Sequence, residues 1–98
     1  MAQEKQFENK IKKFFKENGI WFVKVWGGGF QSAGIPDLIA CVRGQFVAVE
    51  VKASNGKPSE LQEFHIRKIR EAGGDARVLY PDQFEEFREY IMGIINGN

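Results

Sequence analysis

A single cysteine, Cys41, leaves this 98-residue chain without an internal disulfide or a cysteine-based zinc site. A single histidine, His65, has no partner histidine at metal spacing, and it reads as a surface or packing residue of a helix. No Ser-His-Asp arrangement, P-loop or dinucleotide fingerprint is present. No apolar run approaches the roughly 20 residues that a membrane span requires, so no membrane partner is expected. The opening residues, MAQEKQFENK, are polar and acid-containing, which fits neither a signal peptide nor a transit peptide. The expected compartment is a reducing cytoplasm. Strong net charge is also missing: the formal charge is +1, which by itself says nothing about nucleic acid. What is present reads as one ordinary globular domain, 1–98, with a modest core.

The charge is unevenly spread. Residues 1–24 hold six lysines against three glutamates, whereas residues 81–98 hold one arginine against Asp82, Glu85, Glu86 and Glu89. Lys10, Lys12, Lys13 and Lys16 cluster on the first expected helix. They are either a patch for phosphate backbone, with Lys12 and Lys13 as the leading candidates, or a solvated helix surface.

Residues 3–18 carry Phe7, Ile11, Phe14 and Phe15 at helical spacing, and Gly19 is a natural stop. IWFVKVW (20–26) is β-branched and aromatic and reads as a strand. GGGFQSAG follows as a loop. Residues 36–42 and 45–52 read as strands around Arg43–Gly44. Ser59 opens a helix to about Ala72, Gly73–Gly74 ends it, and ARVLY (76–80) is a short strand. Pro81 and Asp82 open a last helix, with Asp82 and Glu85 spaced as a capping box. The order α-β-β-β-α-β-α predicts an α/β fold, with a mixed four-stranded β-sheet flanked by helices. Leu38, Ala40, Val42, Val47, Val49 and Val51 share one sheet face, and Ile39, Cys41, Phe46 and Ala48 share the other. A sheet apolar on both faces is expected to be covered on both, with Cys41 as apolar filler.

Register brings out the chemistry. With Arg43–Gly44 as a two-residue loop, Val42 pairs with Gln45, and Asp37 falls opposite Glu50. Opposed side chains have Cβ atoms roughly 4.5–5.5 Å apart. Lys52 lies two residues beyond Glu50 on the same face. Two opposed carboxylates repel each other unless something neutralises them. Lys52 alone would make the cluster an inert ion pair. A divalent cation such as Mg²⁺, for which paired carboxylate oxygens and the Val51 carbonyl are suitable ligands, would make it a hydrolytic centre.

Gly34-Ile35-Pro36-Asp37-Leu38-Ile39 followed by Val49-Glu50-Val51-Lys52 resembles the P-D…(D/E)-x-K nuclease pattern, and within it the virus-type replication-repair nuclease (VRR-NUC) domain. The likeness covers roughly residues 4–80. It implies a restriction-endonuclease-like core and Mg²⁺- or Mn²⁺-dependent phosphodiester cleavage. Asp37 and Glu50 would be metal ligands, and Lys52 would orient the attacking water or stabilise phosphate charge. Related resolvase families also place a glutamate in the first helix near the metal. Glu8 fits this best, eleven residues before Gly19 as in archaeal Holliday-junction resolvases, with Glu4 as the runner-up. Gln62 matches the family's helix glutamine near the site, although Ser59–Gln62 also has capping-box spacing.

Lys24 on the first strand, and Gly28, Gln31 and Ser32 in the glycine-rich loop, are candidate DNA contacts, the loop otherwise being a plain connector. One of the two tryptophans could serve a subunit interface. Cutting both strands of a branched junction needs two sites, so a homodimer acting on Holliday-junction or other branched DNA is the leading expectation. By analogy it would serve recombination in a bacterial or phage-infected cell. A flap or nicking endonuclease and a non-catalytic DNA-binding scaffold are the alternatives.

Overall fold

The apolar stripe of the first segment becomes helix α1, Gln3–Glu17, in the computed structural model, which describes residues 2–26 and 33–97. Phe7, Ile11, Phe14 and Phe15 are all buried along it. Gly19, at φ +66°, lets the chain reverse, so that its N–H bonds the Lys16 carbonyl and the Ile20 N–H bonds the Phe15 carbonyl. Strand β1, Trp21–Lys24, is shorter than the expected 20–26, although the Val25 N–H still reaches the Asp37 carbonyl at 2.7 Å.

Strands β2 (Leu38–Val42) and β3 (Gln45–Val51) form the expected hairpin, with Val42 opposite Gln45 and Leu38 opposite Val49. Arg43 (φ 51°) and Gly44 (φ 86°) are both left-handed, the geometry of the tight turns that match strand twist. Helix α2, Glu60–Glu71, carries the chain to β4, Asp75–Leu79, which lies parallel to β3. Sheet order is β1-β2-β3-β4, antiparallel except for that last pair. This is the mixed, helix-flanked sheet expected of a restriction-endonuclease-like core. Helix α3, Phe84–Ile95, completes the described chain, and no described helix is long and apolar enough to cross a membrane.

The main core lies between α1, α3 and the face bearing Leu38, Ala40, Val42, Val47, Val49 and Val51. Phe15 is its centre, packed on Phe14, Phe22 and Phe87 with ring centroids 5.4–6.2 Å apart. The opposite face is covered less than expected. A small cluster of Ala48, Ile66 and Ala76, with Ile39, Ile69 and Val78 beside it, lies under α2. That helix sits against β4, and on the β1–β2 side of the same face Trp21 and Val23 are exposed. Cys41 is therefore exposed, not filler within a covered core.

The last helix also starts differently from the expectation. A 3₁₀ turn at Pro81–Gln83 precedes α3, and the Gln83 side chain, not the Asp82–Glu85 pair, caps the turn by accepting from the Tyr80 N–H at 3.0 Å. Gly28, Gln31 and Ser32, and with them most of the glycine-rich loop, lie outside the described residues.

Candidate active site

Four elements meet at one end of the sheet: the start of β2, the end of β3, the end of β1 and the first half of α1. The β2–β3 register, carried one residue past Leu38–Val49, puts Asp37 opposite Glu50. Asp37 is anchored by its own partner strand, since its Oδ2 accepts from the Val51 N–H at 2.8 Å. Oδ1 stands 3.7 Å from Lys24 Nζ. Glu50, 2% exposed, is among the largest fully buried side chains of the protein. Its Oε2 meets Lys52 Nζ at 3.2 Å and accepts from Gln62 Nε2 at 2.9 Å. Its Oε1 is buried without a hydrogen-bond partner.

Gln62 caps α2 and also lies against Glu50. Its N–H donates to Ser59 Oγ at 3.1 Å, and its Oε1 accepts from the Ser59 N–H at 2.8 Å, which closes the capping box. Because the cap occupies the amide oxygen, the amide nitrogen is the end turned to Glu50. The capping box thus aims the donor.

Burial, and then the neighbouring Asp37 charge, push the Glu50 carboxyl up to about 7, against the opposing pull of Lys52. A carboxyl raised in the folded state binds its proton more tightly there than in the unfolded chain. Metal-free stability from this group is therefore full below about pH 4.5, falls as pH rises to about 7, and is level above that. The total is on the order of 3 kcal/mol. Thermal melts in EDTA across this range should show a steeper loss of Tm with rising pH for the wild type than for Glu50→Gln. Parallel curves would contradict the raised carboxyl.

Glu8 approaches from α1, 4% exposed, with three ammonium groups around it. Lys24 Nζ lies 2.7 Å from Oε1, and Lys12 and Lys5 lie 3.2 and 3.6 Å from Oε2, which receives no hydrogen bond. Burial favours the protonated form of Glu8, but Lys24 and Lys12 together outweigh it and hold the carboxyl below its ordinary range. Lys24 Nζ also stands 3.7 Å from Asp37 Oδ1. Burial opposes its charge, and Glu8 and Asp37 outweigh burial, so its pKa is raised.

Of the sequence candidates, Glu8, Lys24, Asp37, Glu50, Val51, Lys52 and Gln62 are gathered at this sheet end. Lys24 and Lys12 are engaged with acids, while Lys13 is exposed on α1. Glu4 is exposed one turn earlier. Among the described residues no three Asp, Glu, His or Cys side chains already form a cage around one point. The buried Glu50 oxygen without a hydrogen bond is nevertheless what a divalent cation would satisfy, and oxygen donors suit Mg²⁺ and Mn²⁺.

Supports that the sequence did not disclose surround this centre. Gln3 and Ser54 exchange two hydrogen bonds (3.0 and 2.8 Å), and the Tyr80 hydroxyl donates to the Gly56 carbonyl at 3.0 Å. The segment after Lys52 is thus tied on both sides. Gly34, at φ +74°, permits close packing just before Asp37, since a Cβ there would run into the Leu61 side chain of α2. The i−3 and i+4 lysines around Glu8 were readable from spacing; the Gln3 and Tyr80 ties, between residues far apart in the chain, were not.

No curated protein and no solved structure matches the chain. The family model for the archaeal Holliday junction resolvase (Hjc), a PD-(D/E)xK nuclease family, matches residues 2–89, which include every element of the site just described. The chain belongs to the archaeal Holliday junction resolvase family, and as such is a structure-specific DNA endonuclease.

Proposed function

We propose that the protein is a homodimeric, Mg²⁺- or Mn²⁺-dependent endonuclease that cuts Holliday junctions or closely related branched DNA at the Asp37–Glu50–Lys52 centre. The observation that carries this reading is the buried Glu50 oxygen without a partner, opposite Asp37 and beside Lys52. A buried charge left this way is costly in a purely structural cluster. Asp37 and Glu50 would hold the ion, the Val51 carbonyl would add a neutral oxygen, and Glu8 would close the site from α1. The ion, when bound, supplies Lewis-acid stabilisation of the scissile phosphate and lowers the pKa of water. Lys52 places a positive charge next to the developing phosphate charge. Gln62 fixes the Glu50 carboxylate through its capped amide. Lys13, and the glycine-rich loop with Gly28, Gln31 and Ser32, would contact the DNA backbone, and Lys12 and Lys24 would join them on leaving Glu8.

The VRR-NUC likeness of the G-I-P-D-L-I and E-V-K segments is compatible with this chemistry, which the two nuclease types share. Support for the dimer comes from the open half of the sheet. Trp21, 63% exposed, pairs with exposed Cys41, which pairs with half-exposed Phe46, and Val23 lies in the next row. Leu61 and Phe64 of α2 expose apolar surface as well. A second copy seated on this strip would supply the second site that paired cuts require.

Two measurements test the proposal. Four-way junction, flap and linear duplex DNA should be compared as substrates, with paired cuts on opposite junction arms expected. Equal cleavage of flap and junction would favour the flap or nicking reading. Light scattering should give a dimer, and Trp21→Glu a monomer that no longer makes paired cuts. A wild-type monomer that resolves junctions would overturn the dimer.

A further inference from the structure

Lys24 stands where a bridging cation would stand. Its ammonium group lies between two carboxylates from different elements, 2.7 Å from Glu8 Oε1 and 3.7 Å from Asp37 Oδ1. The other Asp37 oxygen is already bound to the Val51 N–H, so Oδ1 is the oxygen left for an incoming ion. Lys12 and Lys5 meet Glu8 only on its far oxygen and do not bridge. The side chain of Lys24 is 20% exposed, and its ammonium already lies 5.7 Å from the centroid of the largely exposed Trp26 ring. A path outward over an aromatic face is therefore at hand.

We infer that Lys24 is an internal counter-ion that occupies the metal position in the metal-free protein and is exchanged for the divalent ion on binding. This rests on the metal-dependent reading above and adds a positioning role for one residue. Three carboxylates are met by four ammonium groups, so each acid has a counter-charge without metal. The acids are thereby held in place before the ion arrives, at the cost of competition with it. If Lys24 occupies the position about nine-tenths of the time, apparent metal affinity is reduced about tenfold. A released Lys24 is then free to meet a phosphate on the substrate.

The test is Mn²⁺ binding to the full chain by calorimetry, without DNA, together with thermal melts in EDTA. Lys24→Met should bind Mn²⁺ about tenfold more tightly than wild type, melt lower in EDTA and gain more Tm from Mn²⁺. Lys24→Arg keeps the charge and adds a forked donor, so it should bind Mn²⁺ more weakly than Lys24→Met and no better than wild type. It also keeps the inference testable if Lys24→Met does not fold without metal. Lys12→Met removes a charge from the same glutamate without vacating the bridge, and should change affinity by less than about twofold.

Unchanged or weaker binding by Lys24→Met, or an equal gain from Lys12→Met, would overturn the exchange. If wild type binds Mn²⁺ and cleaves DNA while Lys24→Met gains nothing, only this inference falls. If wild type binds no divalent ion, the metal-dependent reading falls with it.

Discussion

Glu50→Gln is expected to abolish cleavage and to stabilise the metal-free protein. The substitution keeps the shape of the side chain and removes its charge. Gln62 Nε2, 2.9 Å from Glu50 Oε2, can still donate to an amide oxygen at that position. What disappears is a charged group that burial and Asp37 both oppose. At pH 8 in EDTA, the variant should melt about 5 °C or more above wild type. The same change deletes a carboxylate ligand, so Mg²⁺- or Mn²⁺-dependent junction cleavage should fall about 10³-fold. Stability gained as activity is lost is the signature of a residue kept for chemistry. A variant that loses both would mark Glu50 as a structural ion-pair partner.

Lys52→Ala is expected to move stability the other way. Lys52 Nζ is 3.2 Å from Glu50 Oε2, and its side chain is only 14% exposed. Removing it leaves Glu50 buried, opposed by Asp37 and steadied only by the neutral Gln62 amide. The metal-free protein should lose about 1–3 kcal/mol, within the range for breaking a partly buried pair. Mn²⁺ should restore much of that loss by taking over as counter-charge. Cleavage should still fall about 10²- to 10³-fold, because a bound ion replaces the charge on Glu50 but not a cation placed at the phosphate. Denaturant melts of both single variants and the double variant, in EDTA, give the coupling directly. With Glu50 neutral, Lys52→Ala should cost little, and an undiminished cost would mean that Lys52 acts through other contacts.

The centre of the site was legible because a hairpin obeys arithmetic. Once Arg43–Gly44 is the loop, every pair from Val42–Gln45 to Leu38–Val49 follows, and Asp37 comes opposite Glu50. The element order was legible for a similar reason, each segment having its own period and punctuation. Coverage of the second sheet face was not. Alternation says that Ile39, Cys41 and Phe46 face away from α1, but the length and placement of α2 decide how many of them it reaches. Near Pro81 the sequence pointed to an Asp82–Glu85 capping box, and the 3₁₀ turn at Pro81–Gln83 brought the Gln83 side chain to the Tyr80 N–H instead. Lys24 was read as a DNA contact because strand position alone does not say which acids await its ammonium group. Glu8, sixteen residues before Lys24, becomes its partner only once α1 lies across the sheet.

The most direct test of the account is cleavage of a four-way junction mapped at nucleotide resolution, by wild type and by Asp37→Ala protein shown to be folded, with Mg²⁺, Mn²⁺ or EDTA. Wild type should cut with either ion and not in EDTA, and Asp37→Ala should be inactive throughout. Cleavage by wild type in EDTA, or by folded Asp37→Ala at the wild-type rate, would contradict it.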